Sequence, residues 1–406
     1  MSTLIARQAI YDAQGAVCAY ELLYRTGELC CSNIDISDEK AGDDATASVL
    51  SHLFTHSPIN TIIGSHTAYI NFTRNHLLQQ IPAKLPKERI VIELLENIFV
   101  DAHLLKTIAL LAEQGYKFAL DDFVFRDELI PLVHIAETIK IDVLGLSKQD
   151  IKKQLRSLKE IGFKGKLLAE KIENRDQLIL CQNLGFDLFQ GFFLNYPNLV
   201  KHEPLSESEL FLLELFAELY NPGIEIHNIE EILLKVPQLN DRILKLANSI
   251  SMPQGKKIHS LTNAIQQLGF VEIRNWVSFI LVSALNHVAY DLLERTLIRA
   301  KMCQCIAIRS NLANPDDAYA VGMFSTLDAI LNEPMSFLLH KIPLSDEVSA
   351  ALLRRGGTLG YLLDMVQAYE QGNFSKLEHS KFSSEEYSSA YLEAITYSNK
   401  LLSIIH

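Results

Sequence analysis

The run "GYKFALDDFVFRDELIP" ends an apolar stretch on two adjacent acids, Asp121 and Asp122. Two carboxylates at contact distance repel, and burying them is costly unless a cation lies between them. Two readings compete. One is a solvated turn, since Asp is common at strand ends and helix caps; the other is a metal site. Further polar residues close other apolar runs: Glu21, Asn71, Glu93, Lys140, Glu170 and Gln190. Four carboxylate positions, an Asn and a Lys make a hard-oxygen set suited to Mg²⁺ or Mn²⁺, and numerous enough for two ions bridged by one carboxylate. Two ions roughly 3.5–4 Å apart suit in-line attack of water on a phosphodiester. Taken singly, each of these residues is more often structural than catalytic. Their recurrence across seven runs favours catalysis.

Such a site needs elements that bring the runs together. Up to about residue 200, the short runs "LIARQAIYD", "AVCAYELLYR", "TAYINFT", "RIVIELLE", "YKFALDDF", "TIKIDVLG", "KLLAEKIE" and "LFQGFFLN" read as strands. Between most of them lie amphipathic segments closing on glycine, such as "DAHLLKTIALLAEQG" and "RDQLILCQNLG", which read as helices. The first two runs are separated only by "DAQG", a hairpin turn rather than a helical crossover. Eight strands with intervening helices predict an α/β fold, a closed (β/α)8-type barrel with one antiparallel strand. An open doubly wound sheet competes, but it usually needs fewer strands, and its common glycine-rich phosphate loop is not here. Barrel enzymes work at the carboxyl ends of their strands, where these polar residues fall. From about 205 onward the pattern is helix after helix, which predicts a separate all-α domain. The expected division is 1–200 and 205–406, with a linker within 197–208.

The bulk numbers fit this picture. With 406 residues, 48% hydrophobic and 21% charged, the chain can bury two or three cores. A net charge of -12 argues against binding a nucleic-acid polymer, though not against a small anionic ligand. The start "MSTLIARQAIYDAQG" has no secretory pattern. The most apolar window, "WVSFILVSAL", is about half of the roughly 20 residues a membrane span requires. A cytoplasmic protein is expected, with no membrane partner. Cys18, Cys30, Cys31, Cys181, Cys303 and Cys305 include no C-x-x-C pair, so reduced structural thiols are expected rather than zinc ligands.

The ordered set "YELLYR", "YINFT", "IVIELLEN", "FALDDF", "IKID", "LLAEKIEN" and "LFQGFFL" resembles the EAL domain, a bacterial cyclic-di-GMP phosphodiesterase module, over about residues 3–200. The resemblance implies a barrel with an antiparallel strand, use of Mg²⁺ or Mn²⁺, and hydrolysis of cyclic-di-GMP to linear pGpG. Carried over by position, it assigns metal ligation to Glu21, Asn71, Glu93 and Asp121, with Asp122 reaching a second ion. Lys140 would help hold the attacking water, and Glu170 would act as base or as partner of a metal water. Arg25 would clamp a substrate phosphate, for which its forked donors are suited. Gln8 and Gln190 would stand near ligand and water, and Glu96 and Glu173 would support the ligands from behind. Barrels of this family often pair as homodimers. Three departures stand out: Leu22 replaces an alanine, Lys171 replaces a glycine, and "DDFVFRDELIPL" lacks both glycines of the usual D-D-F-G-x-G loop. Val124 cannot adopt positive φ as glycine can, so the loop must take another path, with Arg126 and Asp127 read as a solvated turn.

The segment "VPQLNDRILKLANSISMPQGKKIHSLTNAIQQLGFVEIRNWVSFILVS" resembles the HDOD domain, a helical relative of HD phosphohydrolases. Its marks are Pro237, Leu239, Asn248–Ser249, Ala264 and Leu268–Gly269. Where an active HD enzyme has adjacent His and Asp, "VGMFSTLDAI" has Ser325 and Thr326, so no metal site is expected in this half. His259, His287 and His340 read as ordinary core or surface histidines, Trp276 as packing, and Asn248 and Ser249 as turn-stabilising residues. A regulatory domain with a protein partner is what this resemblance implies. Three functions follow for the whole chain: a cyclic-di-GMP phosphodiesterase, a weak or inactive cyclic-di-GMP receptor signalling through its helical half, and a ligand-independent scaffold. The retained acids favour the first; the altered loop favours the second; the third predicts lost acids, which are not lost.

Overall fold

The computed structural model describes residues 3–26, 59–191, 205–221, 223–235, 237–251, 258–285 and 288–405. They divide into two compact units, Met1–Tyr196 with Ala368–Ser388, and Pro197–Gln367 with Ser389–His406. Most of the expected linker, and the end of the run "LFQGFFLN", lie outside the described residues.

The first unit is a closed barrel of β1 (Thr3–Asp12), β2 (Val17–Thr26), β3 (Thr67–Phe72), β4 (Ile90–Leu94), β5 (Lys117–Leu120), β6 (Thr138–Asp142), β7 (Lys166–Glu170) and β8 (Leu188–Phe189), hydrogen-bonded in that order. β1 runs antiparallel to both β2 and β8, and every other neighbouring pair is parallel. The cause is the turn after β1. Asp12 Oδ1 accepts the amides of Gln14 and Ala16, both at 2.9 Å, and Gly15 sits at φ 80. So short a reversal can only return the chain antiparallel; a parallel return needs a crossover of a dozen residues or more. The later strands have such crossovers. Their helices Ala102–Glu113, Lys148–Glu160 and Arg175–Leu184 begin at side-chain caps from Asp101, Ser147 and Asn174, and the last ends on Gly185 at φ 87.

Inside the barrel, Ile10, Ala19, Tyr69, Val91, Ala119, Leu168 and Leu188 form one buried apolar layer. β6 contributes Thr138, whose hydroxyl meets Tyr69 Oη at 3.3 Å. Each strand therefore fixes which of its residues face inward, because side chains two apart share a face.

The segment Ala368–Ser388 belongs to the barrel's compact unit. There Tyr369 is buried, accepts the Ile5 amide at 3.2 Å and donates to the Ile5 carbonyl at 2.6 Å. One hydroxyl thus satisfies both backbone groups of a β1 residue. Tyr369→Phe keeps the ring and removes both bonds, so it is expected to destabilise the protein by about 1–3 kcal/mol in urea unfolding. An unchanged midpoint would show that Ile5 finds other partners.

The second unit is helical. Its opening helix Glu207–Leu219 starts with a capping box between Ser206 and Glu209. Asn248 staples a turn as expected: its Nδ2 donates to the carbonyls of Leu244 (2.7 Å) and Ile258 (2.9 Å), and its Oδ1 accepts the Ile258 amide at 2.7 Å. Trp276 is fully buried and donates to Glu272 Oε1 at 2.8 Å. Ser325 accepts from Arg299, and Thr326 meets Thr296 at 2.7 Å, so this pair serves helix packing. His259 and His340 are exposed; His287 and the Ser249 side chain lie outside the described residues. Cys18, Cys181 and Cys305 form no disulfide among the described residues. No helix among the described residues is long and apolar enough to cross a membrane.

Candidate active site

The polar residues of the strand ends form a second layer directly above the apolar one. On each parallel strand the step is two residues toward the carboxyl end: Ala19 to Glu21, Tyr69 to Asn71, Val91 to Glu93, Ala119 to Asp121, Thr138 to Lys140, Leu168 to Glu170 and Leu188 to Gln190. On antiparallel β1 the same step runs backwards, from Ile10 to Gln8, which pairs with Glu21 in register. Every strand of the barrel delivers one polar side chain to this layer. Alternation alone accounts for the set.

Its hub is Lys140, which is 0% exposed. The ammonium lies 2.7 Å from Glu93 Oε1, 2.7 Å from Asp121 Oδ1, 2.7 Å from Glu170 Oε1 and 3.3 Å from Glu21 Oε2. Gln190 Nε2 donates to Glu21 Oε2 at 2.6 Å and to Gln8 Oε1 at 3.1 Å, which ties both glutamines to the cluster. Asn71 sits beside Glu93 in the β3–β4 register. Gln190 is held by close backbone packing: the Ile172 amide donates to its carbonyl at 3.1 Å, and a Cβ on Gly191 would meet Ile172 backbone atoms at 2.3 Å. Only glycine fits there.

One ammonium cannot neutralise four carboxylates, and the site shows it. Burial holds the Glu93 carboxyl well above the usual carboxylate range, with Glu21 and Asp121 adding to the rise against the pull of Lys140. Burial likewise pushes Glu170 up to about 8, with Asp121 and Glu21 adding. Burial alone would lower Lys140, but the surrounding carboxylates outweigh it and hold its pKa well above the ordinary value. Among the described residues, buried Glu93 Oε2 and Gln190 Oε1 accept no hydrogen bond. Oxygens of Glu21, Glu93 and Asp121 lie within 4.8 Å of one another, and among the described residues this is the acidic group able to hold a metal ion. Hard oxygen donors, excess negative charge and open lone pairs fit a divalent cation such as Mg²⁺ or Mn²⁺.

At the rim the two acids of the opening puzzle part company. Asp121 faces Lys140, whereas Asp122 takes φ 44, leaves strand alternation and lies 3.3 Å from Lys171 Nζ. In this loop Asp122 takes a positive φ and Val124 does not. Arg126, read from sequence as part of a solvated turn, donates to the Glu96 carbonyl and so ties the loop after β5 to the loop after β4. Asp142 was missed by sequence reasoning: its Oδ2 meets Lys171 Nζ at 2.6 Å. The available signal was parity, since Asp142 is two residues beyond Lys140. Glu96 and Glu173 are exposed and are not brought to the Lys140 cluster; the Glu173 amide bonds Gln177 Oε1 at 2.8 Å. Arg25 lies in β2 opposite Leu4, and its side chain is outside the described part. Leu22 is fully buried.

Residues 67–197 match the EAL domain and residues 208–331 the HDOD domain. The chain is 30% identical over 382 residues to the cyclic di-GMP phosphodiesterase CdgJ of Vibrio cholerae, which spans 93% of this chain and 87% of that one. It is 30% identical over 414 residues to YuxH of Bacillus subtilis, spanning 99% of each. Among solved structures, an EAL domain protein of Listeria monocytogenes is 18% identical, with a TM-score of 0.37 over 47% of this chain and 87% of that one. BlrP1 of Klebsiella pneumoniae, in a complex with manganese and cyclic-di-GMP, is 22% identical, with a TM-score of 0.37 over 47% of this chain and 55% of that one. With both domains matched and CdgJ alike along almost the whole chain, the chain belongs to the family that joins an EAL domain to an HDOD domain.

Proposed function

We propose that the barrel is a metal-dependent phosphodiesterase that opens cyclic-di-GMP to linear pGpG, and that the helical unit is its regulatory or protein-binding domain. The observation that carries the reading is the convergence of Glu21, Glu93, Asp121 and Glu170 on one buried ammonium. The similarity to CdgJ supplies the substrate class. Glu21, Asn71, Glu93 and Asp121 would hold one divalent ion, with Asp122 reaching a second. Bound ions supply Lewis-acid charge against the negative charge that grows on the phosphate. Glu170, whose carboxyl titrates near 8 in the metal-free site, is suited to take the proton of the attacking water near neutral pH. Lys140 would orient that water, and Arg25 would hold a phosphate oxygen. As water adds to phosphorus, the bond to one ribose 3′-oxygen breaks and that oxygen takes up a proton.

The test is incubation with cyclic-di-GMP and Mg²⁺ or Mn²⁺, with products resolved by chromatography. The native protein is expected to accumulate pGpG, and Glu21→Ala to form none while still binding the dinucleotide. A receptor that binds without turnover is the second reading, favoured by the hold of Lys171 on Asp122. Tight metal-free binding with no product under any metal would replace the enzyme with that receptor.

A further inference from the structure

Lys171 stands where the related sequence pattern has glycine, yet its backbone keeps the left-handed conformation, φ 55. For a lysine this is a strained position, normally left to glycine or asparagine. The side chain is nonetheless engaged. Its ammonium lies 2.6 Å from Asp142 Oδ2 and 3.3 Å from Asp122 Oδ1, and it is about half exposed at the barrel rim. Burial is the largest single influence and lowers its pKa, but the hydrogen bonds to Asp142 and Asp122 and the charges of both aspartates together outweigh it and raise it above the ordinary lysine value, so it stays cationic.

We propose that Lys171 is a built-in competitor for the second divalent ion, a tethered cation that occupies the carboxylates of Asp122 and Asp142 and so weakens that ion's binding. The inference rests on the two-ion reading above. A tethered ammonium acts at a high effective concentration. An entering ion must displace it or bind beside a like charge, and both outcomes cost affinity. Lys140 plays no such part, since it lies at the centre of the deeper carboxylates and contacts neither Asp122 nor Asp142. The consequence is a phosphodiesterase whose turnover follows free metal concentration over a range in which a glycine-bearing relative would be saturated.

The experiment is a Mn²⁺ titration of the full chain by electron paramagnetic resonance, comparing the native protein with Lys171→Gly, Lys171→Arg and Glu93→Gln. Lys171→Gly suits the backbone and keeps the fold. The native protein is expected to show a tight and a weak Mn²⁺ class. Removing two partly exposed ion pairs should tighten the weak class about tenfold in Lys171→Gly. Lys171→Arg, which keeps the charge, should leave it weak. Equal weak-class affinity in native and Lys171→Gly proteins overturns the inference and leaves the phosphodiesterase reading standing. So does weaker cyclic-di-GMP binding in Lys171→Gly with Mn²⁺ binding unchanged, since Lys171 would then be a phosphate contact. Mn²⁺ binding that survives unchanged in Glu93→Gln overturns the metal site itself, and this inference with it.

Discussion

In the Lys140→Met protein, metal-free stability is expected to fall by about 3–5 kcal/mol, the cost of removing one partner from a buried ionic cluster. Four carboxylates would then share a water-poor barrel mouth with no cation among them. The loss has a sign with pH. Burial already raises both the Glu93 and Glu170 carboxyls, Glu170 to about 8, so near pH 6 Glu170 carries a proton and needs little counter-charge. Near pH 8.5 Glu170 ionises, and the deficit grows. Denaturant unfolding in chelator should therefore show a larger gap between native and variant proteins at pH 8.5 than at pH 6. Mn²⁺ should close much of that gap, because a ligand that binds only the folded state stabilises it. A gap that is small and indifferent to pH and metal would mean that water reaches the cluster and screens it.

Glu93→Gln separates function from stability. The glutamine has the same shape, and the buried carboxyl it replaces is already held far above its usual titration range. Stability in chelator is not expected to fall. Metal affinity and turnover are expected to fall by more than about 100-fold, since loss of even an outer partner of a metal ligand costs 10–100-fold. Isothermal titration with Mn²⁺ and the chromatographic assay measure the two effects. In the native protein the same titration should release protons, and affinity should rise with pH, because the Glu93 carboxyl, held well above its usual range, must ionise to hold a cation. Unchanged Mn²⁺ affinity in Glu93→Gln would place the ion elsewhere.

Much of this site could be read before any coordinates. Strand alternation is local, so a polar residue two positions beyond an inward apolar one faces inward too, whatever the rest of the chain does. That is why Glu21, Asn71, Glu93, Asp121, Lys140, Glu170 and Gln190 stood out, and why "DAQG" announced the antiparallel strand. The side-chain caps at Asp101, Ser147 and Asn174 lie equally close to the helices they start.

Contacts between distant residues could not be read this way. Nothing local says that the β6 lysine is the common partner of acids from β2, β4, β5 and β7; barrel closure decides it by bringing those strands around one axis. The Asp122–Lys171–Asp142 bridge joins the ends of three strands and needs positive φ at two residues whose types do not advertise it. Tyr369, 364 positions from Ile5, caps a backbone that no pattern near either residue predicts. By itself, then, the sequence determined the elements, their order and the inward set of polar side chains, because those depend on neighbours along the chain. The tertiary structure alone decided which charges meet and which cation holds which acid, because Coulomb and hydrogen-bond energies depend on distance in space.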